Sequence, residues 1–315
     1  MTKILINTDL DDALIQRIQD VSEEVEIITA SSEGEALEIM PEVEVVLGPV
    51  TPAMLALGDR LRWVQNLGAG VDGALFPAFV ESDVVLTSAK GIVGIHLADH
   101  AMALLLSLTR GIATAIRNPS FDQRWPIRAA SWELAGRTMG IVGLGGTGQA
   151  LAIRAAGFGM RIIAVDPDDI EVPDCVELCW KMDRFHDLLA ESDVVAVCAP
   201  LTRETEGMFD ADAFRRMQSH AMLVNVTRGL IVDEDALSQA LEQGQIGGAG
   251  LDVVPQEPLP DDHPLWHMPN VVVTPHTAGG SPHRVGRTID LFCDNLARLL
   301  DGLPMNSVIN KDKGY

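Results

Sequence analysis

Cysteine, lysine and tyrosine are scarce in this 315-residue chain. It holds 4 cysteines (Cys175, Cys179, Cys198, Cys293) and 1 tyrosine. The Cys175/Cys179 spacing is neither a C-x-x-C redox motif nor half of a zinc ribbon. A disulfide framework does not suit a chain of this size, so the thiols are read as reduced, structural groups in a cytoplasmic protein. Lysine occurs only at Lys3, Lys90, Lys181, Lys311 and Lys313, and 45 acidic residues outweigh 23 basic ones, for a net charge of −22. A field of that sign repels phosphate backbones and anionic bilayers, which excludes nucleic acid and membrane surfaces as partners. Long hydrophobic runs are missing as well. The most apolar helix candidate, residues 95–108, is interrupted by His96, Asp99 and His100 and is too short to span a bilayer. The opening MTKILINTDL reads as a first β-strand rather than a leader peptide.

The stretch 140–166, GIVGLGGTGQALAIRAAGFGMRIIAVD, is the most informative. A short apolar strand leads into Gly143, Gly145 and Gly148 in G-x-G-x-x-G spacing. Alanine-rich helical sequence follows, then a second apolar strand that ends on Asp166. Each part has a mechanical purpose. The first glycine permits a tight turn, the second lets the backbone approach a pyrophosphate, and the third lets helix and strand pack closely. The helix N-terminus presents N–H groups and partial positive charge to that pyrophosphate. Asp166 stands where an acid accepts hydrogen bonds from both hydroxyls of an adenosine ribose. A 2′-phosphate there meets a like charge, and Pro167, Asp168 and Asp169 supply no arginine, so NAD(H) is expected over NADP(H).

The fingerprint begins near residue 140, so a unit of domain size precedes it. Residues 3–7, 25–28, 43–47, 62–66 and 83–87 read as short strands, with helical spacing at 10–20 and 32–40. After Asp166, strands are expected at 193–198, 221–226, 248–253 and 271–274. Helices are expected at 185–190, 210–216 and 233–243, and an irregular proline-rich loop at 255–269. Strands alternating with helices imply parallel sheets with crossover helices. The reading is an α/β protein of two Rossmann-like or flavodoxin-like domains, with the cofactor domain inserted in the substrate domain. Residues 95–281, which carry the fingerprint, are read as the NAD-binding domain, and residues 1–94 plus 282–315 as the other domain. The last helix, about 282–300, closes the chain.

Ligands of open α/β sheets bind beyond the C-terminal ends of the strands. Arg228, Glu257 and His276 each follow such an end. An arginine fork suits a carboxylate. A histidine gives or takes the proton of an alcohol/carbonyl pair near neutral pH, and an adjacent carboxylate orients it. His96 and His100 share a helix face, but no third ligand stands out, so no metal is expected.

These blocks together resemble the D-isomer-specific 2-hydroxyacid dehydrogenase family, from about residue 48 to 308. The most specific are LGAGVDGAL (67–75), GIVGLGGTG (140–148), NVTRGLIVDEDAL (225–237), GLDVVPQEPLP (250–260) and NVVVTPHTAGG (270–280). The resemblance implies interconversion of a small 2-oxo acid, such as glyoxylate or hydroxypyruvate, and its D-2-hydroxy acid. Arg228, Glu257 and His276 are then the active-site residues. Gly143, Gly145, Gly146, Thr147, Gly148, Asp166, Ala199, Pro200, Thr205, Val226, Thr227, Asp252, Ala278 and Gly279 line the NAD site. Ala69, Gly70 and Val71, with Arg228, hold the substrate, which makes residues 1–94 plus 282–315 the substrate-binding domain. A homodimer formed through the cofactor domain is implied too.

The chain departs from the family pattern at Thr147, where isoleucine is common, and at Asp99-His100, where a glutamate–histidine pair is usual. It ends soon after Val308, unlike many 3-phosphoglycerate dehydrogenases with regulatory tails. Glu257, where formate dehydrogenases of this fold carry glutamine, argues against formate. Two alternatives share the fold: an NAD(H)-sensing corepressor-like binding protein, and a dehydrogenase of another small anion such as phosphite.

Overall fold

The computed structural model describes residues 1–315. The chain forms two compact units: Met1–Val93 with Ser281–Tyr315, and Gly94–Gly280. Both are α/β, with parallel sheets, as the alternating pattern implies.

The first unit holds β1 (Thr2–Ile6), β2 (Val25–Thr29), β3 (Val45–Leu47), β4 (Trp63–Gln65) and β5 (Val85–Thr87). They lie in the order β2-β1-β3-β4-β5, the flavodoxin-like arrangement. β3 and β4 are buried on both faces, as is β1 apart from Lys3, and the side chains of the two faces pack into separate apolar clusters. The helix Arg284–Leu300 belongs to this unit: Ile289, Phe292 and Leu296 are fully buried with Ile4, Ile6 and Trp63. The Phe292 and Trp63 rings stack with centroids 4.7 Å apart.

The second unit holds β6 (Thr138–Val142), β7 (Arg161–Val165), β8 (Leu178–Trp180), β9 (Val194–Val197), β10 (Met222–Asn225), β11 (Gly248–Leu251) and β12 (Val271–Val273). Their order, β12-β11-β10-β9-β6-β7-β8, reverses direction between β6 and β9, which is the topological switch point of a Rossmann sheet. The strand β8 has no counterpart in the sequence reading. It is a three-residue edge strand, Leu-Cys-Trp, without a β-branched residue and only partly buried, so it lacks the pattern that marks the others. Short helices at Pro52–Leu57, Pro77–Glu81, Ile112–Arg117 and Arg124–Ala130 also escape a periodicity reading, being 5 to 7 residues long. No helix is long and apolar enough to cross a membrane.

Candidate active site

The glycine loop occupies the switch point. Gly143 follows β6 with φ +89°, and a Cβ on it would lie 2.7 Å from the backbone of Ala199, two residues past β9. Only glycine permits both the turn and the approach. A Cβ at Gly148 would stand 2.2 Å from the Gly143 carbonyl oxygen, so the following helix, Gly146–Gly157, packs directly on the loop. Gly145 differs: nothing lies within 4 Å of its Cβ position, and the helix it opens has no side-chain cap. Open space over an uncapped helix N-terminus is a cradle for an anionic group.

Asp166, at the end of β7, is 8% exposed. Its Oδ2 accepts from the Leu144 N–H at 2.7 Å and its Oδ1 from the Asp168 N–H at 3.0 Å. The carboxylate therefore braces the glycine loop and keeps lone pairs for further donors. The fold adds a cation that the local sequence does not show. Lys181, just past β8, donates to the carbonyl of Asp168 at 2.7 Å and pairs with Asp169 at 2.7 Å. The Asp169 partner holds the Lys181 ammonium above its ordinary pKa. Beyond β9, the Thr205 hydroxyl donates to the Pro200 carbonyl at 2.7 Å and accepts from the Thr202 N–H at 2.8 Å, closing the loop that carries Ala199 and Pro200.

Beyond β10, the buried Asn225 shapes the turn that presents Arg228. Its Nδ2 donates to the Arg228 carbonyl at 2.8 Å and its Oδ1 accepts from the Thr227 N–H at 3.1 Å. Arg228 is half-buried, and its guanidinium also donates to the Thr227 carbonyl at 2.7 Å. The next residue, Gly229, touches the backbone of Val254 in the loop after β11. In that loop the Val254 N–H donates to Glu257 Oε1 at 3.1 Å. The other oxygen, Oε2, lies 2.6 Å from His276 Nδ1. Glu257 and His276 thus meet, and the Arg228 turn abuts the strand-end loop that supplies the carboxylate.

His276 has a left-handed backbone, φ 52°, uncommon for a residue with a side chain. Asp252 holds this loop. The His276 N–H donates to the Asp252 carbonyl at 2.9 Å. The Asp252 carboxylate, with no exposed surface, accepts from Thr274 Oγ1 at 2.6 Å, the Thr277 N–H at 2.8 Å and the Ala278 N–H at 2.8 Å. His100 joins the same cluster, its Nε2 lying 2.8 Å from Thr274 Oγ1. Its neighbour Asp99 pairs with Arg154 at 2.5 Å. The sequence alone leaves both roles open, because His100 and Thr274 are 174 residues apart.

In the first unit, Asn66 Nδ2 donates to the carbonyls of Gly68 and Gly70 at 3.0 and 2.9 Å. That bend fixes the loop containing Ala69, Gly70 and Val71.

The family model described as "D-isomer specific 2-hydroxyacid dehydrogenase, NAD binding domain" matches residues 102–278. The chain belongs to this family. It is therefore an oxidoreductase with an NAD-binding Rossmann domain. It is 34% identical over 306 residues to a glyoxylate reductase of Korarchaeum cryptofilum, covering 95% of this chain and 86% of that one. It is 31% identical over 313 residues to a D-3-phosphoglycerate dehydrogenase of Archaeoglobus fulgidus, covering 98% of this chain but 59% of that protein's length. A crystal structure of a D-isomer specific 2-hydroxyacid dehydrogenase from Xanthobacter autotrophicus Py2, in complex with NADPH and MES, superposes with a TM-score of 0.83. It is 27% identical and covers 100% of this chain and 99% of that one.

Proposed function

We propose that the protein reduces a small 2-oxo acid of the glyoxylate or hydroxypyruvate type to its D-2-hydroxy acid, reversibly, with NAD(H). The observation that carries this reading is the 2.6 Å contact between His276 Nδ1 and Glu257 Oε2. A carboxylate can only accept, so Nδ1 carries the proton and Nε2 is left for the substrate oxygen. The His276 side chain is 50% exposed, so a substrate can reach it.

Bound nicotinamide supplies or takes the hydride at the substrate carbon. The chain's residues do the rest. Arg228 grips the substrate carboxylate through its planar fork and polarises the adjacent carbonyl. The Ala69-Gly70-Val71 loop offers backbone N–H groups of the kind that bind a carboxylate. His276 gives its Nε2 proton to the carbonyl oxygen during reduction and takes it back during oxidation, while Glu257 keeps the ring oriented and stabilises its charged form.

In this reading Gly94–Gly280 is the cofactor domain, and Met1–Val93 with Ser281–Tyr315 the substrate domain. The pyrophosphate rests on the cradle at Gly145, Gly146 and Thr147, with Ala199, Pro200, Val226 and Thr227 along the crevice. Asp166 takes the adenosine ribose. NAD(H) is favoured over NADP(H) because the Asp166 charge lies at the ribose and Lys181 is already neutralised by Asp169. The protein works as a cytoplasmic homodimer. Oxidation of NADH against a panel of glyoxylate, hydroxypyruvate, pyruvate and bulkier 2-oxo acids, repeated with NADPH, tests the reading. Absence of turnover with every acid and both coenzymes refutes it.

A further inference from the structure

The helix Gly94–Thr109 lies across β10, β11 and β12. Its register over β11 is set by a close approach: a Cβ on Gly250 would be 2.9 Å from Leu104 Cβ. Residues four apart share a helix face. His100 is therefore one turn before Leu104 on the same face, which brings it beyond the C-terminal ends of β11 and β12. There its Nε2 lies 2.8 Å from Thr274 Oγ1 and 3.3 Å from Asp252 Oδ1.

The hydrogen-bond directions follow from the chemistry. The Asp252 carboxylate only accepts, so the Thr274 hydroxyl donates to it across 2.6 Å. The hydroxyl lone pairs then face His100, whose Nε2–H donates. His100 thus fixes the Thr274 rotor and adds a donor toward a carboxylate with no exposed surface. That carboxylate also holds the N–H groups of Thr277 and Ala278, on the far side of His276. The residues flanking the strained His276 backbone are tied to one anchor, which the helix fastens through His100.

We propose that His100 is a positioning residue for the proton-transfer histidine, acting through Thr274 and Asp252 on the backbone of residues 274–278. The proposal rests on the 2-oxo acid reductase reading for its kinetic consequence. Its structural consequence, a change in the His276 environment, is independent of that reading.

Three variants test it: His100→Leu, His100→Gln, whose amide can place a donor where Nε2 stands, and Thr274→Val. Wild-type turnover with the 2-oxo acid panel is measured first, and its absence refutes only the parent reading. In folded His100→Leu, kcat is expected to fall about 10- to 100-fold, since small misplacements of reacting groups have effects of that order. KM for NADH should stay within about twofold of wild type, a split that sets misplaced chemistry apart from lost binding. His100→Gln should recover most of the lost kcat.

Independently of turnover, the His276 imidazole NMR resonances, assigned with His276→Ala, should shift in His100→Leu and return in His100→Gln. Unaltered His276 resonances in His100→Leu overturn the proposal, as do unaltered kcat or equal losses in the Leu and Gln variants. If His100→Leu does not fold, Thr274→Val takes its place in both measurements. Wild-type kcat and wild-type His276 resonances in that variant overturn it equally.

Discussion

Gly229 and Val254 are in backbone contact: a Cβ on Gly229 would lie 1.9 Å from the Val254 carbonyl carbon. No side-chain rotation relieves such an overlap, so a larger residue must push apart the turn bearing Arg228 and the loop bearing Glu257. Gly229→Ala is expected to lower kcat/KM about 100-fold, the scale of an ångström's misplacement. It should also cost about 1–3 kcal/mol of stability. Steady-state kinetics and urea unfolding check both. Wild-type kinetics in this variant would show that the contact does not position the site.

His276→Ala is expected to remove about 10²- to 10⁴-fold of kcat, the usual contribution of general acid–base catalysis. NADH affinity, measured by fluorescence quenching, should stay near wild type. Glu257→Gln keeps the shape of the acid but loses its charge against His276 Nδ1, so it should fall between the two in kcat. Near-normal turnover in His276→Ala would remove the proton-donor assignment.

Much of this constellation is legible in the sequence because each member depends on local order. Gly143 needs a positive φ directly after a strand, and Arg228, Glu257 and His276 each follow a strand end. What stays hidden depends on tertiary register. His100 looks like an interruption in an apolar helix until Leu104 is seated on Gly250. Lys181 reaches Asp169 only through β8, an edge strand too short and too poor in β-branched residues to show itself.

Asp166→Ser should weaken the proposed preference for NADH over NADPH. On the proposed reading the substitution removes the negative charge that a 2′-phosphate would meet at the ribose. The ratio of kcat/KM for NADH to that for NADPH is expected to fall at least about tenfold, since one charge-assisted hydrogen bond is worth that much. An unchanged ratio would move the adenosine ribose elsewhere.

Asp193, just before β9, accepts from the Thr138 N–H at 2.8 Å and pairs with Arg137 at 2.9 Å and His220 at 2.6 Å. Burial raises its pKa, but these donors outweigh it and hold the carboxyl below the ordinary 3.8. A carboxyl depressed on folding stabilises the native state above its unfolded pKa and loses that contribution as pH falls through the folded value. Asp193→Asn should therefore cost about 1–3 kcal/mol at pH 7, and progressively less in acid. Urea midpoints across that range would show a constant gap if the charge did not matter.

The thiol of Cys198, just past β9, has its pKa pushed up to about 12 by burial. It should stay protonated and resist alkylation in the native protein, reacting only once the second unit opens. Mass spectrometry after a timed iodoacetamide pulse, with and without urea, reads this site by site. Rapid native labelling of Cys198 would contradict its burial.

The stack of Phe292 on Trp63 sets a timetable for synthesis. The segment Gly94–Gly280 is continuous and can complete its sheet as it leaves the ribosome. The preceding unit has all five strands by then but not its full core, because the helix that covers one face is translated after all of Gly94–Gly280. A chain released after Gly280 should hold a finished nucleotide-binding sheet beside an N-terminal sheet whose Ile4, Ile6 and Trp63 face still awaits its cover, a surface for a chaperone to shield.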